Sequence, residues 1–187
     1  MRITILNGNP DASNTAFDDY LERLFGVLAS DQHEVTVLKL REMDIKYCTG
    51  CFGCWVKTPG ECVVADDSHD VCRAVINADF ALWASPIIMG FYSALLKKVT
   101  DKCIPLVHPY IVVDQYEAHH LARYDKYPLV GLLLEKGDDA DNDDIEITSD
   151  IHRRTALNLK SKLSFTRLTL DSVEEVAREI TDAVNGL

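Results

Sequence analysis

Four of the six cysteines lie within fifteen residues, and this density is typical of a site rather than of a disulfide framework. They follow the pattern Cys-x-x-Cys-x-x-Cys-x7-Cys, at Cys48, Cys51, Cys54 and Cys62. Thiolates two residues apart can converge on one [4Fe–4S] cubane, with a fourth ligand from farther along the chain. Zinc more often takes two Cys-x-x-Cys pairs separated by a longer spacer. The spacing leaves a cluster or free, redox-active thiols as the main interpretations, and zinc fits less well.

A second chemical feature is the polar segment 7–15, which reads Asn-Gly-Asn-Pro-Asp-Ala-Ser-Asn-Thr and opens a helix. Gly8 permits close backbone approach, and Ser13, Asn14 and Thr15 place short polar side chains where helix N–H groups point outward. The segment has no Gly-Lys-Ser/Thr motif and no Gly-x-Gly-x-x-Gly turn, and no lysine precedes Lys39. It predicts a site for a monophosphate, although simple capping of the helix is the alternative.

The third feature is the apolar segment 85–97, which contains two adjacent aromatic residues, Phe91 and Tyr92. An apolar loop left in water would favour aggregation, so it suits contact with a flat, mostly apolar ring system. Backbone N–H groups could then bind the polar edge of that ring. The alternative is that both aromatic side chains belong to the protein core.

These features must be positioned by a pattern of alternating strands and helices. Strands are predicted at residues 3–6, 35–40, 80–85, 129–134 and 163–170, and amphipathic helices separate or follow them. The pattern predicts a doubly wound α/β sandwich with a five-stranded parallel sheet in the order 2-1-3-4-5. Ligands of such sheets bind at the carboxyl ends of the first and third strands, where segments 7–15 and 85–97 begin.

Taken together, the two segments resemble those of the NAD(P)H-dependent FMN reductases and the related iron–sulfur flavoproteins, which have a flavodoxin-like fold. The resemblance rests on Ile-Leu-Asn-Gly-Asn-Pro…Ser-Asn-Thr and on Ser-Pro-Ile-Ile-Met-Gly-Phe-Tyr-Ser-Ala-Leu-Leu-Lys, and it covers at least the first hundred residues. It implies that Ser13, Asn14 and Thr15 bind the phosphate of FMN and that Asn9 belongs to the same site. It also implies that the ribityl chain and isoalloxazine ring are lined by Pro86, Ile87, Met89, Gly90, Phe91, Tyr92 and Ser93. NAD(P)H would be the co-substrate, and since flavin N5 takes the hydride, no catalytic side chain is expected.

The resemblance extends to the segment that contains Cys48, Cys51, Cys54 and Cys62, the cysteine segment, but leaves its role open. Iron–sulfur flavoproteins have a compact set of three cysteines and a fourth a few residues on, which would make all four clustered cysteines ligands of a [4Fe–4S] cluster. Plain flavin reductases have similar cysteines that need not carry iron. Cys72 and Cys103 fall on predicted helices and are expected to be buried packing residues.

Composition limits the possible partners. The formal charge of −11 and the lack of a basic run argue against nucleic acid and anionic membranes. We expect a single domain over residues 1–187, a cytoplasmic location, and association into a dimer or tetramer. Segment 104–127, with His119 and His120, is expected to form a lid or a subunit contact.

The function expected from these features is that of an FMN-dependent oxidoreductase passing reducing equivalents from NAD(P)H to a small-molecule or protein acceptor. The first alternative is an electron carrier that relays electrons between a partner protein, a [4Fe–4S] cluster and FMN. The second alternative is a thiol or metal sensor without enzymatic activity.

Overall fold

A computed structural model describes residues 1–114 and 116–186. Its strands are β1 (Arg2–Asn7), β2 (Glu34–Lys39), β3 (Phe80–Ile88), β4 (Phe91–Tyr92), β5 (Val107–Asp114), β6 (Glu117–Ala122), β7 (Leu129–Glu135) and β8 (Leu163–Leu168). Five of them form a parallel ladder in the order β2-β1-β3-β7-β8. Since β7 and β8 are the fourth and fifth parallel strands along the chain, the predicted order 2-1-3-4-5 is confirmed.

Helices cover both faces of this sheet. They are α1 (Thr15–Ser30), α2 (Gly53–Val56), α3 (Ser68–Asn77), α4 (Ala94–Lys102), α5 (Asn142–Asn158) and α6 (Val173–Asn185). Alternate residues of β1 and β3 enter opposite cores, as Ile5 and Leu82 face α1 and α6 while Leu6 and Trp83 face α3, α4 and α5. The strands are therefore apolar on both sides, which is what a parallel sheet between two helical layers requires.

The third strand differs from the prediction at its carboxyl end. It continues to Ile88 and turns back on itself, so that Ile88 pairs with Phe91 and Ile87 with Tyr92 in an antiparallel ladder. The connecting residues Met89 and Gly90 both have positive φ, 53° and 78°. This is the backbone of a two-residue hairpin turn, in which glycine is favoured at the second position. Much of the segment predicted as a loop is therefore a short β-hairpin.

A second hairpin, β5–β6, lies outside the main ladder. It occupies most of segment 104–127, for which no regular element was predicted, and it follows a short 3-10 helix at Ile104–Leu106. Tyr110, Ile111 and Val113 of β5 are exposed. His119 instead points inward, where its Nδ1 lies 3.1 Å from Asn158 Oδ1 at the end of α5. No helix in the described ranges is long and apolar enough to cross a membrane.

Candidate functional site

The loop after β1 is held by a network of buried amide groups. Asn7 accepts the backbone N–H of Asn9 (2.9 Å), and its own amide donates to Asp18 Oδ1 in α1 (2.7 Å). Asn9 donates to the carbonyl of Asn14 (3.0 Å) and accepts the backbone N–H of Asp11 (3.0 Å). The Asn9 side chain is fully buried, so its amide fixes the loop backbone through these hydrogen bonds and does not face solvent.

Asp18 anchors this network to the neighbouring strand. Arg41, which follows β2, donates two hydrogen bonds to the Asp18 carboxylate, from Nη1 to Oδ1 (3.1 Å) and from Nη2 to Oδ2 (2.7 Å). Burial acts to raise the pKa of Asp18, but the hydrogen bonds from Arg41, Asn7 and Asn9 outweigh it and lower the pKa. The carboxylate therefore stays charged, and it joins the loop, α1 and the end of β2 into one unit. Sequence reasoning missed this pair, because its partners are 23 residues apart and no local motif marks them.

The side chains predicted to bind phosphate have different surroundings. Ser13 is exposed, and both its N–H and its hydroxyl donate to Asp11 Oδ1, at 2.8 Å and 2.7 Å. Asn14 caps α1, because its side-chain oxygen accepts the N–H of Phe17 (3.3 Å). Its amide also donates to Glu135 Oε2 at the end of β7 (2.6 Å). Thr15 is exposed at the start of the helix.

The two loops predicted to share a ligand are brought together. The N–H of Gly8 donates to the carbonyl of Ala84 in β3 (2.8 Å), and Ser93 Oγ donates to the carbonyl of Gly8 (2.6 Å). A Cβ at Gly8 would lie 2.8 Å from Leu96 Cβ and 2.9 Å from the carbonyl oxygen of Ala84. Only glycine fits here, because the backbone after β1 touches both β3 and α4.

The hairpin after β3 presents an apolar tip beside these loops. Met89 is 93% exposed and Ile88 is 43% exposed, while Phe91 is partly covered. A Cβ on Gly90 would meet Asp144 Oδ1 at 2.8 Å, because the first turn of α5 packs against the turn. The Thr148 hydroxyl faces the carbonyl of Gly90 at 3.5 Å. The first turns of α5 therefore support the hairpin turn, while the side chains of Ile88 and Met89 are exposed to solvent.

Several residues predicted to line the flavin have buried side chains that also stabilise the fold. Tyr92 is buried in the core, where burial raises the pKa of its phenol to about 12. Ser93 is buried as the N-cap of α4, and its N–H donates to Ser85 Oγ (2.8 Å). Pro86 and Ile87 are buried within β3. A ligand at this edge would meet the exposed groups first, and Ile88, which the sequence analysis did not include, is one of them.

The cysteine segment runs along the outside of α4. Tyr47 lies under Lys98 at the middle of that helix, with 5.5 Å from Nζ to the ring centroid. Cys48 shares a pocket of about 440 Å³ with Thr100 and Asp101 near the end of α4. Trp55 follows in α2 and donates its indole N–H to the carbonyl of Val107 (2.9 Å). Within one chain, the segment therefore lies toward the far end of α4 from the hairpin after β3, rather than over that edge.

Three of the clustered thiols lie close enough to the fourth to influence its ionisation. Burial raises the pKa of Cys54, and the charges of Cys62, Cys48 and Cys51 raise it further. Cys48 and Cys51 are exposed, and Cys62 is partly buried. Across residues 1–114 and 116–186, no three His, Cys, Asp or Glu side chains converge as ligands of a metal ion. The fold thus leaves the other three thiols near enough to Cys54 to act on its charge, without joining all four at one point.

A buried ion pair lies directly behind Cys62. Lys102, the last residue of α4, approaches Asp66 Oδ2 at 2.9 Å and donates to Cys62 Sγ at 3.2 Å. Burial acts to lower the pKa of Lys102, but the hydrogen bonds to Asp66 and Cys62 outweigh it and raise the pKa. Sequence reasoning missed both charged residues. An apolar helical stripe that ends in a lysine gives no sign that the lysine turns inward.

The other two cysteines take packing positions, as predicted. Cys103 is buried in the core, and its S–H donates to the carbonyl of Val99 (3.4 Å). Cys72 donates to the carbonyl of Lys102 (3.4 Å), and its hydrogen bond with Cys103, together with burial, keeps its pKa well above the usual value. The Cys72 thiol therefore stays protonated at neutral pH.

Comparison with known proteins adds a family and relatives to this geometry. Residues 1–121 match the family model described as NADPH-dependent FMN reductase. An iron-sulfur flavoprotein of Archaeoglobus fulgidus is 28% identical over 102 residues, which cover 54% of this chain and 48% of that protein. An iron-sulfur flavoprotein of Methanocaldococcus jannaschii is 27% identical over 107 residues, or 57% of this chain and 53% of the relative. The chain thus matches about half the length of these curated relatives.

A solved structure supports the fold over the whole chain. The apo form of an NADH:FMN oxidoreductase named EMOB superposes with a TM-score of 0.61, covering 100% of this chain and 89% of the other. Its sequence is 15% identical, so the similarity is one of fold.

Proposed function

Since the chain belongs to the family of NADPH-dependent FMN reductases, a family of oxidoreductases, we propose that it binds FMN and uses it to pass reducing equivalents from NAD(P)H to an acceptor. The observation that carries the proposal is the junction of two loops at the carboxyl edge of β1 and β3. Hydrogen-bond donors lie on one side of the junction and an exposed apolar tip on the other.

The residues at this junction fit the two ends of FMN. The N–H and hydroxyl of Ser13 already bind an anionic oxygen, that of Asp11, and they would bind a phosphate oxygen equally well. Ile88 and Met89 supply an apolar surface of the kind that covers a flat ring. Met89 holds a positive φ at the tip of the turn, a strained conformation for a residue with a side chain, and such strain is concentrated at functional sites.

Bound FMN would supply the redox chemistry, accepting a hydride from a nicotinamide and donating electrons to an acceptor. The chain contributes binding and orientation. Segment 7–15, which we name the phosphate loop, is held in shape by the hydrogen bonds among Asn7, Asn9 and Asp18. Gly8 lets this loop approach β3. Asp144 and Thr148 support the turn from α5.

The proposal is tested by purifying the protein and identifying the flavin released on denaturation. We expect FMN by mass spectrometry, since the short loop offers donors for a terminal phosphate and no marked site for an adenylate. Anaerobic mixing with NADPH or NADH should then bleach the flavin. Release of FAD, or a flavin that neither nucleotide reduces, would contradict the proposal.

The phosphate loop is tested by Asn14→Ala and Thr15→Ala. Each lost hydrogen bond to a charged phosphate is expected to weaken FMN binding by about 1.5–3 kcal/mol, or roughly ten- to a hundredfold. Asn14→Ala also removes a helix cap, so the matched control is Ser172→Ala, which removes the N-cap of α6. Titration of the apoproteins should show weakened FMN binding in the first two variants only. Equal affinities in all three would reduce Asn14 and Thr15 to structural caps.

A second candidate function involves the cysteine segment, and the Cys-x-x-Cys-x-x-Cys-x7-Cys spacing of its four thiols favours it. We propose that these thiols bind a [4Fe–4S] cluster that exchanges electrons with FMN or a partner protein. A four-iron cluster binds each thiolate at a different iron, so its ligands need not meet at one point. The donor set fits such a cluster, and the name of the curated relatives agrees with it.

The cluster is tested by anaerobic purification with iron and sulfide assays, followed by serine variants. Serine at Cys48, Cys51, Cys54 or Cys62 should remove most of the cluster absorbance, because the ligands act together. Serine at Cys72 or Cys103 should leave it intact and is the matched control. Wild-type spectra and stability in all four ligand variants would leave a flavin reductase with incidental thiols.

Association into a dimer or tetramer also stays a prediction. The β5–β6 hairpin, with its exposed Tyr110, Ile111 and Val113, is the surface that we propose for it. Sedimentation of the wild-type protein and of Val113→Lys tests both points, since the variant is expected to dissociate. A monomeric wild type would contradict the prediction.

A further inference from the structure

Lys102 is a charged side chain in a position where charge is rarely found. Its side chain is 2% exposed and that of Asp66 is fully buried. Lysine is almost never fully buried unless it is paired, because removing an ammonium from water is costly. Asp66 is itself fixed by the N–H groups of Ser68 (3.0 Å) and Lys46 (2.9 Å). The ammonium thus has an immobile partner on one side.

The second partner of the ammonium is Cys62 Sγ, at 3.2 Å. Lys102 ends α4, and its backbone carbonyl accepts the S–H of Cys72 (3.4 Å). Both the base and the head of the side chain are therefore fixed. Whatever group the Cys62 sulfur binds acquires a cation within hydrogen-bonding distance of that sulfur.

A purely structural explanation is that the pair fastens the cysteine segment to α4. An ion pair between Asp66 and Lys102 would be enough for that purpose. It does not account for the second contact of the ammonium, with Cys62 Sγ at 3.2 Å, and Cys62 also lines a pocket of about 310 Å³.

We propose, resting on the [4Fe–4S] cluster of the second candidate function, that Lys102 is a positioning residue that donates a hydrogen bond to the cluster-bound Cys62 sulfur and raises the reduction potential of the cluster. One-electron reduction adds a negative charge to the cluster without breaking a bond. A cation beside a ligand sulfur stabilises the reduced form more than the oxidised form. Hydrogen bonds to the sulfurs and local charge are two of the factors that set cluster potentials.

The test is a dithionite titration of the holoprotein, followed by electron paramagnetic resonance, in Lys102→Met and Lys102→Gln. The equilibrium constant for reduction is expected to fall about tenfold, equivalent to a potential lower by about 59 mV for one electron. Lys102→Arg keeps the charge and should restore the wild-type value. Lys97→Met is the matched control, because Lys97 lies on the same helix but pairs with Asp101 at the surface.

Each outcome decides the matter. Neutral variants that hold a full cluster at the wild-type potential overturn the proposal. If the neutral variants lose the cluster while Lys102→Arg keeps it, the cation is needed to hold the cluster, and the proposal that it sets the potential fails. If Lys102→Arg loses the cluster as well, the role is structural and the proposal fails. A wild-type protein without iron and sulfide defeats the cluster and this inference together, whereas FMN binding is judged separately from the released flavin.

Discussion

At the scale of single residues, Asp11 occupies the donors that we assign to the FMN phosphate. Its carboxylate accepts both the N–H and the hydroxyl of Ser13, and these bonds lower the pKa of Asp11. An incoming phosphate would have to displace a carboxylate of the same charge sign. The loop is therefore preformed for an anion, and it already holds one of its own.

Asp11→Ala is accordingly expected to bind FMN a few-fold more tightly than the wild type, because it removes both competition and repulsion. Titration of the apoprotein with FMN measures the effect, and riboflavin, which lacks the phosphate, is the control ligand. Weaker FMN binding in Asp11→Ala would show instead that Asp11 is needed to shape the loop.

His152 is the other residue with an unusual environment. It is buried in α5 between Trp83 and Tyr92, and neither of its ring nitrogens has a hydrogen-bond partner among the residues described. Burial lowers its pKa from 6.5 to about 4, so the ring is neutral in the folded protein. The unfolded chain takes up a proton near pH 6.5 and the folded protein does so only near pH 4. The stability present above pH 6.5 is therefore lost as the pH falls through this interval.

We expect the free energy of unfolding to fall by on the order of 3 kcal/mol between pH 6.5 and pH 4 because of this group. His152→Leu removes the titration and should flatten this part of the profile, while the other histidines remain. Urea denaturation at several pH values provides the measurement. Parallel profiles for the wild type and the variant would rule out His152 as the source.

At the scale of elements, the regular part of the fold could be predicted from the sequence. The central strands β1, β3 and β7 are mostly buried, and most of the helices between the strands have a 3.6-residue apolar period. Local pattern and tertiary packing agree in these elements. The carboxyl-edge rule then placed segments 7–15 and 85–97 together, and the bond between Ser93 and Gly8 confirms that placement.

The two hairpins could not be predicted in the same way. Strand β5 contains Pro109, which weakens a strand prediction, and its pairing with β6 is irregular between Val107 and Ile111. Strand β6 reads Glu-Ala-His-His-Leu-Ala, which has little β propensity. The turn at Met89 was hidden because a methionine with positive φ is unusual. Tertiary contacts stabilise these elements, and a local pattern does not record such contacts.

The pairs Asp18–Arg41 and Asp66–Lys102 illustrate the same limit at the site. Each pair joins residues far apart in the chain. In each pair the charged side chains point inward because they form an ion pair with each other. Sequence reasoning singled out the clustered thiols and segment 7–15, because both have local motifs. It missed the charges that hold them.

Within the cysteine segment, Gly53 begins the short helix α2 under a steric constraint. A Cβ there would lie 2.5 Å from Val63 Cγ1, whereas a Cβ at Gly26 in α1 would meet nothing within 4 Å. Gly53→Ala is expected to destabilise the protein by about 1–3 kcal/mol through overpacking. Gly26→Ala, the matched control, should stabilise it by about 1 kcal/mol.

Thermal unfolding measures both effects, and the double variant Gly53→Ala with Val63→Ala should recover stability. No recovery would show that the clash with Val63 is not the cause.

At the scale of the whole molecule, the charge of −11 acts on every anionic ligand. The guanidinium nearest the phosphate loop, that of Arg41, is already paired with Asp18. FMN and NAD(P)H, the ligands that we propose, carry phosphates, so they would approach against a repulsive field that salt screens over about 10 Å at 0.1 M.

The rate constant for FMN association with the apoprotein should therefore rise with ionic strength, while that for uncharged riboflavin should change little. Stopped-flow measurements of flavin fluorescence between low and moderate salt provide the test. A rate constant that falls with salt would reveal a locally positive entrance.

The β5–β6 hairpin also matters for how such a protein can diverge. Strands β3 and β7, which precede and follow it, pair directly with each other over seven residue pairs. The hairpin therefore pairs with none of the strands of the main ladder. A change in its length would not shift the pairing of those strands. Selection can lengthen, shorten or replace this insert while the carboxyl edge of β1 and β3 stays under separate constraint. Diversity among descendants of this chain should accumulate first on that flank.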